Sequence, residues 1–485
     1  VKILIVSPEV VPFAKTGGLA DVAGALPKAL SDLGHEVKII MPAYKKVLEG
    51  QFPIGIVMEN LVVEVPFSPD RFSLLSTRIP GTKIEVLLIR QDDYYYRDEL
   101  YQVKGKDYVD NVQRFVLFSR AVLESLKATN WKPDVIHCND WQTALIPLYL
   151  RIQREHDPFF KGIGTAFSIH NMAYQGVFPP AEFPLTGLSW DFYNYKELEF
   201  WGNFNLLKAG IVYSDQLNTV SEGYAKEIQT PEYGCGLEGL LQSRAGDLSG
   251  IINGIDYKLW DPEIDKQIPA NYTFKTIKGK GKSKLALQKA YGMEENEDIM
   301  LIGLISRLAD QKGFDLIAAE IDRIMALGCQ VVILGTGEPK YHELFEREHK
   351  RFPKQMGIAL KFDAMLAQLI YAGSDAFLMP SRYEPCGLGQ LISLKYGTIP
   401  IVRKTGGLAD SIGDFDADPK KGTGFVFEAY NGGELFNCIQ RAFKAYGDKK
   451  RWKAVQKNAM EADFSWDASA KKYVDMYKKA ISKVK

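Results

Sequence analysis

No hydrophobic run in the sequence approaches the ~20 residues that a membrane-spanning helix needs, so the sequence predicts a soluble chain. Cysteine is sparse. The five residues Cys138, Cys235, Cys329, Cys386 and Cys438 are odd in number, with no C-x-x-C pair and no metal-ligand spacing with histidine. That usage argues against a disulfide scaffold and suits a reducing compartment, cytoplasm or plastid stroma. Net charge is missing too, because 60 Lys plus Arg balance 60 Asp plus Glu. Nothing global advertises nucleic acid or an anionic membrane, and any anion site must be local. Short repeat periods, the mark of a solenoid, are absent as well.

What remains is the composition of an ordinary globular protein, 46% hydrophobic and 25% charged. A chain of 485 residues exceeds one hydrophobic core, which predicts two domains of about 200 residues each. Short apolar runs alternate with longer amphipathic stretches, the pattern of βαβ units wound into parallel sheets. Residues 2–6 predict a buried first strand, 19–33 a helix stopped by Gly34, and 37–40 the next strand. Further strands are expected at 134–137 and 164–169. Residues 257–284, rich in Pro, Lys and Gly, read as a connection, after which a second series places strands at 300–306, 330–334, 376–379 and 399–402. Parallel α/β sheets bind ligands at the carboxyl ends of such strands, so the loops there carry the functional argument.

The first such loop is Lys15-Thr16-Gly17-Gly18. Glycines let the backbone approach a ligand, amides at the start of the next helix suit phosphate oxygens, and Lys15 adds a full charge. The plainer reading is a tight turn with a solvated lysine. Residues 15–21 recur letter for letter at 404–410, which predicts a glycine-rich helix N-terminus in each half. A second loop sets Arg307 and Lys312 close together, either to steady a departing diphosphate or as two surface cations. A third runs from Ser381 to Leu388. Here Glu384, followed by Pro385, either accepts hydrogen bonds from sugar hydroxyls or is an ordinary carboxylate before a helix. Cys386 reads as a packed residue, since no histidine adjoins it. A fourth loop begins with His170-Asn171, and Asp140-Trp141 resembles it in placement; both suit sugar binding and both suit packing.

Three apparent motifs fail. Gly281-Lys282-Ser283 would need its leading glycine at Thr276. Gly335-Thr336-Gly337 would need a third glycine at Lys340, which leaves a nicotinamide fingerprint incomplete. The run Asp414, Asp416, Asp418 reads as a solvated loop.

Taken in order, Lys-Thr-Gly-Gly-Leu, Ser-Arg-x-x-x-Gln-Lys-Gly and Glu-Pro-Cys-Gly-Leu resemble the glycogen and starch synthase family of GT-B glycosyltransferases. Further matches are His170-Asn171, the stretch 252–256 and Thr405-Gly406-Gly407-Leu408, so the similarity spans nearly the whole chain. It implies two Rossmann-like doubly wound α/β domains facing an interdomain cleft. The acceptor-side domain would take residues 1–256 and the nucleotide-sugar domain 257–465, with a helix in 466–485 lying back on the first. It implies ADP-glucose as donor, a growing α-1,4-glucan as acceptor, retention of configuration and no metal or other cofactor. Residue by residue, it assigns Lys15, Arg307 and Lys312 to the diphosphate and Glu384 and His170 to the transferred glucose. Gly18, Asp21, Asn253, Gly335, Cys386, Gly387, Leu388, Thr405 and Gly406 would surround the nucleotide sugar. Phe362 stands where the family often has tyrosine against the adenine ring. Asp140, Tyr95 and His170 fall on the acceptor and glucose side, where Tyr94, Tyr95 and Tyr96 supply stacking faces or pack in the core.

A retaining glycosidase needs two carboxylates ~5 Å apart, and no second one partners Glu384 in the sequence. The expected chemistry is therefore front-face transfer. The resemblance implies a cytoplasmic enzyme without nucleic-acid or membrane partners, and the sequence leaves its oligomeric state open. Three rivals stand beside this reading: a GT-B enzyme with another donor or acceptor, such as a sucrose-type synthase; a catalytically silent glucan-binding protein; and a nicotinamide oxidoreductase.

Overall fold

The computed structural model describes residues 1–67, 69–103 and 105–485. They form two compact units, one of residues 1–220, 225–251 and 466–485, the other of 221–224 and 252–465. The second unit thus resumes at Ile252, where the sequence put the break after Asp256.

The first unit is built on a nine-stranded sheet. Its strands are β1 (Lys2–Val6), β2 (Glu36–Pro42), β3 (Gly55–Val63), β4 (Asp70–Arg78), β5 (Glu85–Arg90), β6 (Val135–Asn139), β7 (Gly164–Ile169), β8 (Gln216–Thr219) and β9 (Leu248–Gly250). Their order is β9-β8-β7-β6-β1-β2-β5-β4-β3, parallel except that β4 runs antiparallel to both β5 and β3. Ile3 pairs with Val37 on one side and Val135 on the other. These central strands are buried on both faces, which is why they read as unbroken apolar runs. No strand is expected from the sequence between 41 and 133; β3 and β4 are partly exposed and their pairing is bulged, whereas β5 is a buried apolar run that sequence reasoning missed. The helix Gly18–Asp32 buries Leu19, Val22, Leu26 and Leu30 at helical spacing.

The helix Trp466–Ser482 completes this unit, burying Trp466, Ala470, Tyr473, Tyr477 and Ile481. Gly164 admits it closely, since a Cβ there would lie 2.9 Å from the Ala480 carbonyl carbon. The Tyr477 hydroxyl donates to Nδ1 of buried His137 at 2.8 Å, and His137 Nε2 meets Ser168 Oγ at 2.5 Å. Ser168 in turn donates to Asn218.

The second unit holds a six-stranded parallel sheet of β10 (Leu301–Ile305), β11 (Gln330–Leu334), β12 (Met356–Ala359), β13 (Ala376–Met379), β14 (Ile399–Arg403) and β15 (Phe425–Phe427). The order β12-β11-β10-β13-β14-β15 is that of a dinucleotide-binding fold, with its reversal between β10 and β13.

Two expectations need correction here. Residues 257–284 are not a bare connection, because Tyr272 and Lys280 are buried. The Lys280 ammonium sits 2.8 Å from the Ala372 carbonyl, 3.1 Å from that of Tyr396 and 2.6 Å from Thr398 Oγ1, and burial lowers its pKa to about 7. Its polarity misled because the charge is spent inside, on carbonyls that water cannot reach. The acidic run is likewise not merely solvated. Asp414 and Asp416 grip Arg441 at 3.0 and 2.8 Å, and Phe415 between them is buried.

Candidate functional site

In the first unit the strand order reverses between β1 and β6, so the loops after these strands flank the crevice that such a sheet offers a ligand. The loop after β1 leads to Lys15-Thr16-Gly17-Gly18, all exposed. Its shape is set by Glu9, a buried carboxylate that sequence reasoning missed. Glu9 accepts from the Thr16 amide, from the Thr16 hydroxyl at 2.5 Å, from the Gly17 amide at 3.3 Å and from the Tyr101 hydroxyl at 2.8 Å. The expected anion cradle is therefore partly filled from within, two of its amides being engaged by the protein's own carboxylate. Lys15 remains accessible, its ammonium 2.7 Å from Asp21. Burial raises the pKa of Asp21, and Lys15 opposes that shift.

The loop after β6 opens with Asp140 at φ 57°, a left-handed conformation uncommon outside glycine. It aims the carboxylate at the backbone of the next loop, where His170 N–H donates to it at 2.7 Å. Burial pushes the Asp140 carboxyl up to about 8, against the lowering by the amides of His170 and Asn171. His170 Nε2 lies 2.9 Å from Asn139 Oδ1. The Asn139 amide nitrogen donates to the Val6 carbonyl, so its oxygen faces the imidazole and Nε2 must carry the proton. Burial holds His170 neutral, with its pKa near 3, which leaves Nδ1 as an acceptor suited to a hydroxyl.

Two first-unit expectations fall differently. Tyr95 is fully buried, its hydroxyl donating to the Arg114 carbonyl at 2.6 Å and its ring edge-on to Tyr44. It is a packing residue and offers no face to an acceptor. Trp141 packs between Phe115 and Phe178, and a Cβ at Gly176 would press on its ring.

In the second unit the loops after β10 and β13 flank the reversal. Lys312 ends the short turn Asp310–Lys312, and Gly313 follows at φ 74° with no room for a side chain against the Pro380 carbonyl. That contact brings Lys312 Nζ to 2.6 Å from Glu384 Oε2, with side chains only 18% and 7% exposed. Ser381 Oγ donates to the same carboxylate oxygen at 3.0 Å. Gln311 joins the loops further, its carbonyl accepting from Arg382 N at 2.8 Å and its side chain donating to the Tyr383 carbonyl. The Arg307 guanidinium lies 3.4 Å from Gln311 Oε1, on the same loop as Lys312.

Glycines seat the neighbouring loops against this pair. A Cβ at Gly335 would strike the Ser306 carbonyl, and one at Gly337 the Leu308 carbonyl. These two glycines therefore serve close loop packing, a role the failed nicotinamide fingerprint did not suggest. Gly407 lies against the Cys386 backbone, and its amide donates to the Glu384 carbonyl at 3.0 Å. The repeated heptapeptide thus differs between its copies. Residues 15–18 of the first are exposed and lead into a fifteen-residue helix, whereas Thr405 and Gly406 of the second are buried and open a six-residue one.

Cys386 is buried, and burial pushes its thiol up to about 12, which rules out a thiolate at neutral pH. Asn253, also buried, sends its backbone N–H toward that sulfur, and its side-chain Oδ1 has no hydrogen-bond partner among the described residues. Gly387 takes φ 73° before Leu388. Phe362, after β12, shows 83% of its surface to solvent. Among the described residues no three His, Cys, Asp or Glu side chains are grouped to hold a metal ion, and no helix is long and apolar enough to cross a membrane.

Residues 2–243 match the family model of the starch synthase catalytic domain, and residues 287–459 that of glycosyl transferases group 1. A glycogen synthase of Fervidobacterium nodosum is 47% identical over 100% of this chain and 99% of its own. The solved catalytic domain of starch synthase IV from Arabidopsis thaliana, bound to ADP and acarbose, superposes with a TM-score of 0.92 at 34% identity, covering 99% of both chains. A sucrose-phosphate synthase from Thermosynechococcus elongatus matches with a TM-score of 0.60 at 15% identity over 99% of each chain, which shows a common fold alone. Full-length identity at that level, together with two sheets reversing at the loops that carry Lys15, Lys312 and Glu384, places the chain in the glycogen and starch synthase family of GT-B glycosyltransferases.

Proposed function

We propose that this chain transfers glucose from ADP-glucose to the non-reducing end of an α-1,4-glucan, retaining configuration and using no metal. The observation that carries the reading is the Lys312–Glu384 pair, nearly closed to water, at the reversal of the second sheet. Departure of a nucleoside diphosphate builds negative charge, and a fixed ammonium and guanidinium lower that barrier. In this reading the pair is a resting arrangement. When a diphosphate arrives, Lys312 exchanges its carboxylate for phosphate oxygens with Arg307 beside it, and Glu384 is released to accept from glucose hydroxyls. Asn253 Oδ1, buried and without a partner among the described residues, is a further acceptor suited to a hydroxyl-bearing ligand.

The first unit, taken by itself, contributes an exposed cation, Lys15, and the Nδ1 acceptor of neutral His170. Cys386, protonated and buried, supplies no nucleophile, which supports front-face transfer in which the leaving phosphate oxygen helps deprotonate the acceptor hydroxyl. The starch synthase IV domain was solved with ADP and acarbose, which supports a nucleotide sugar and a glucan as partners, and the glycogen synthase relatives support a cytoplasmic setting.

The test is incorporation of labelled glucose into glycogen, with ADP-glucose and UDP-glucose compared and Lys312→Ala and Glu384→Ala as controls. The reading expects ADP-glucose to be preferred and both variants to fail. Glycogen binding with no labelled product would instead establish a silent glucan-binding protein.

A further inference from the structure

In the first unit a chain of aromatic contacts begins beside Asp140 and ends in solvent. Trp141 meets Phe178 at 5.8 Å between ring centroids, Phe178 meets Phe204 at 5.8 Å, Phe204 meets Phe183 at 5.5 Å, and Phe183 meets Trp190 at 5.0 Å. Trp190 packs edge-on against Tyr193 at 5.3 Å, and the Tyr193 hydroxyl donates to the Gly202 carbonyl at 2.9 Å, next to Trp201. Inside, the rings are ordinary core. At the outer end they are not, since Trp190 is 56% exposed, Tyr195 73% and Trp201 82%. Exposing several large aromatic faces within a dozen residues forfeits burial that most of the chain's aromatic side chains secure.

Trp201 is also held in a backbone conformation that a bulky side chain avoids, φ 52°, at the turn between the short strands Glu199–Phe200 and Asn203–Asn205. Glycine or asparagine would sit there with less strain, so the turn displays an indole at a conformational cost, against an edge-on contact with the Phe200 ring at 6.5 Å and the approach of its Nε1 to Gly236. The frame beneath is rigid. Lys208, mostly buried, donates to the carbonyls of Tyr195 and Glu199 at 2.6 Å each. The same frame reaches the His170 loop, because Asn205 Nδ2 donates to Gln175 Oε1 at 2.6 Å, and Leu206 N–H donates to the Gly176 carbonyl at 3.0 Å.

We infer that Trp190, Tyr195 and Trp201 form a docking surface on the first unit for a linear stretch of the α-glucan. Flat, uncharged aromatic faces with hydroxyl and carbonyl groups at their edges suit the apolar faces of successive glucose rings, while the sugar hydroxyls stay in water. The continuous frame from these rings to the loop of Asp140 and His170 selects the acceptor polymer as occupant over an unrelated protein. This inference rests on the proposed glucosyl transfer.

The test compares wild type with Trp201→Ala, Trp190→Ala and the double variant in native gels containing glycogen, and in transfer assays on glycogen and on maltotriose. Each single variant should weaken glycogen retardation and raise the KM for glycogen about tenfold, the double variant more. KM for ADP-glucose and kcat on maltotriose should stay within about twofold, because the added avidity of a second contact requires a chain long enough to engage both sites at once. Thermal unfolding identifies a variant that merely misfolds, and Trp201→Tyr, which keeps an aromatic face, should restore most of the glycogen affinity. An active wild type whose variants bind glycogen unchanged overturns the docking surface alone. A wild type that incorporates no glucose into any glucan overturns the proposed function, and Trp201-dependent retardation would then still support the surface.

Discussion

The ammonium of Lys312 stands 2.6 Å from Oε2 of Glu384, on loops that leave two neighbouring strands of one sheet. Removing one partner of a buried pair leaves the other charge uncompensated, at a cost of about 3–5 kcal/mol. Glu384→Ala should therefore lose stability in denaturant unfolding as well as glucose transfer. The double variant Lys312→Met, Glu384→Leu should regain most of the stability and none of the activity. If each single variant were as stable as wild type, the pair would not be closed to water as described.

Gly335 is confined by the Ser306 carbonyl. Gly335→Ala should push apart the loops after β10 and β11 and displace Arg307, raising the KM for the nucleotide sugar more than it lowers kcat. Steady-state kinetics against donor concentration, with glycogen saturating, checks this. Gly433, where an added Cβ meets nothing closer than 3.5 Å, is the matched control and should behave as wild type.

Glu9 satisfies two backbone amides and two hydroxyls around the Lys15 loop. Glu9→Ala leaves those donors without a partner at about 1–3 kcal/mol each when water cannot replace it. Thr16 and Gly17 are exposed and can turn to water, so the expected result is a modest loss of stability, mainly from the partly buried Tyr101 hydroxyl, together with raised hydrogen exchange at Thr16 and Gly17. Exchange at these two amides that matches wild type would show that Glu9 does not hold the loop.

His137 is buried and neutral, and burial lowers its pKa to about 3. The unfolded chain takes up a proton near pH 6.5 that the folded unit refuses, so the contribution of His137 is complete above that pH and is lost as pH falls toward 3. Thermal unfolding followed from pH 7 to pH 4 should show a steeper fall for wild type than for His137→Asn, although the variant starts from a lower value. Parallel pH profiles would contradict a neutral, buried His137.

Much of the second unit's site was legible in the sequence because its parts are local. Arg307, Lys312 and Glu384 each follow an apolar run, and strand ends in parallel sheets are where charge is useful. Their union was not legible, since it depends on Gly313 and Gly335 admitting backbone from loops distant in the sequence. Glu9 went unread for a related reason: its four donors include Tyr101, ninety-two residues away. Tyr95 erred in the opposite direction. Three consecutive tyrosines read alike, but a short helical turn points the middle one into the core. Lys280 shows the limit of composition, because a lysine that ends on interior carbonyls looks in sequence like any solvated one.

The first unit's chain is interrupted, leaving at Ile251 and returning only at Trp466. On a ribosome, which makes residues in order, β6, β7 and β8 exist for more than two hundred residues of synthesis before the tyrosines that cover His137 and Asn218 are made. The second unit, nearly continuous in sequence, can mature in that interval. The half that begins first is therefore finished last, and a premature stop before residue 466 would release a sheet whose strands β6, β7 and β8 lack their cover on one face.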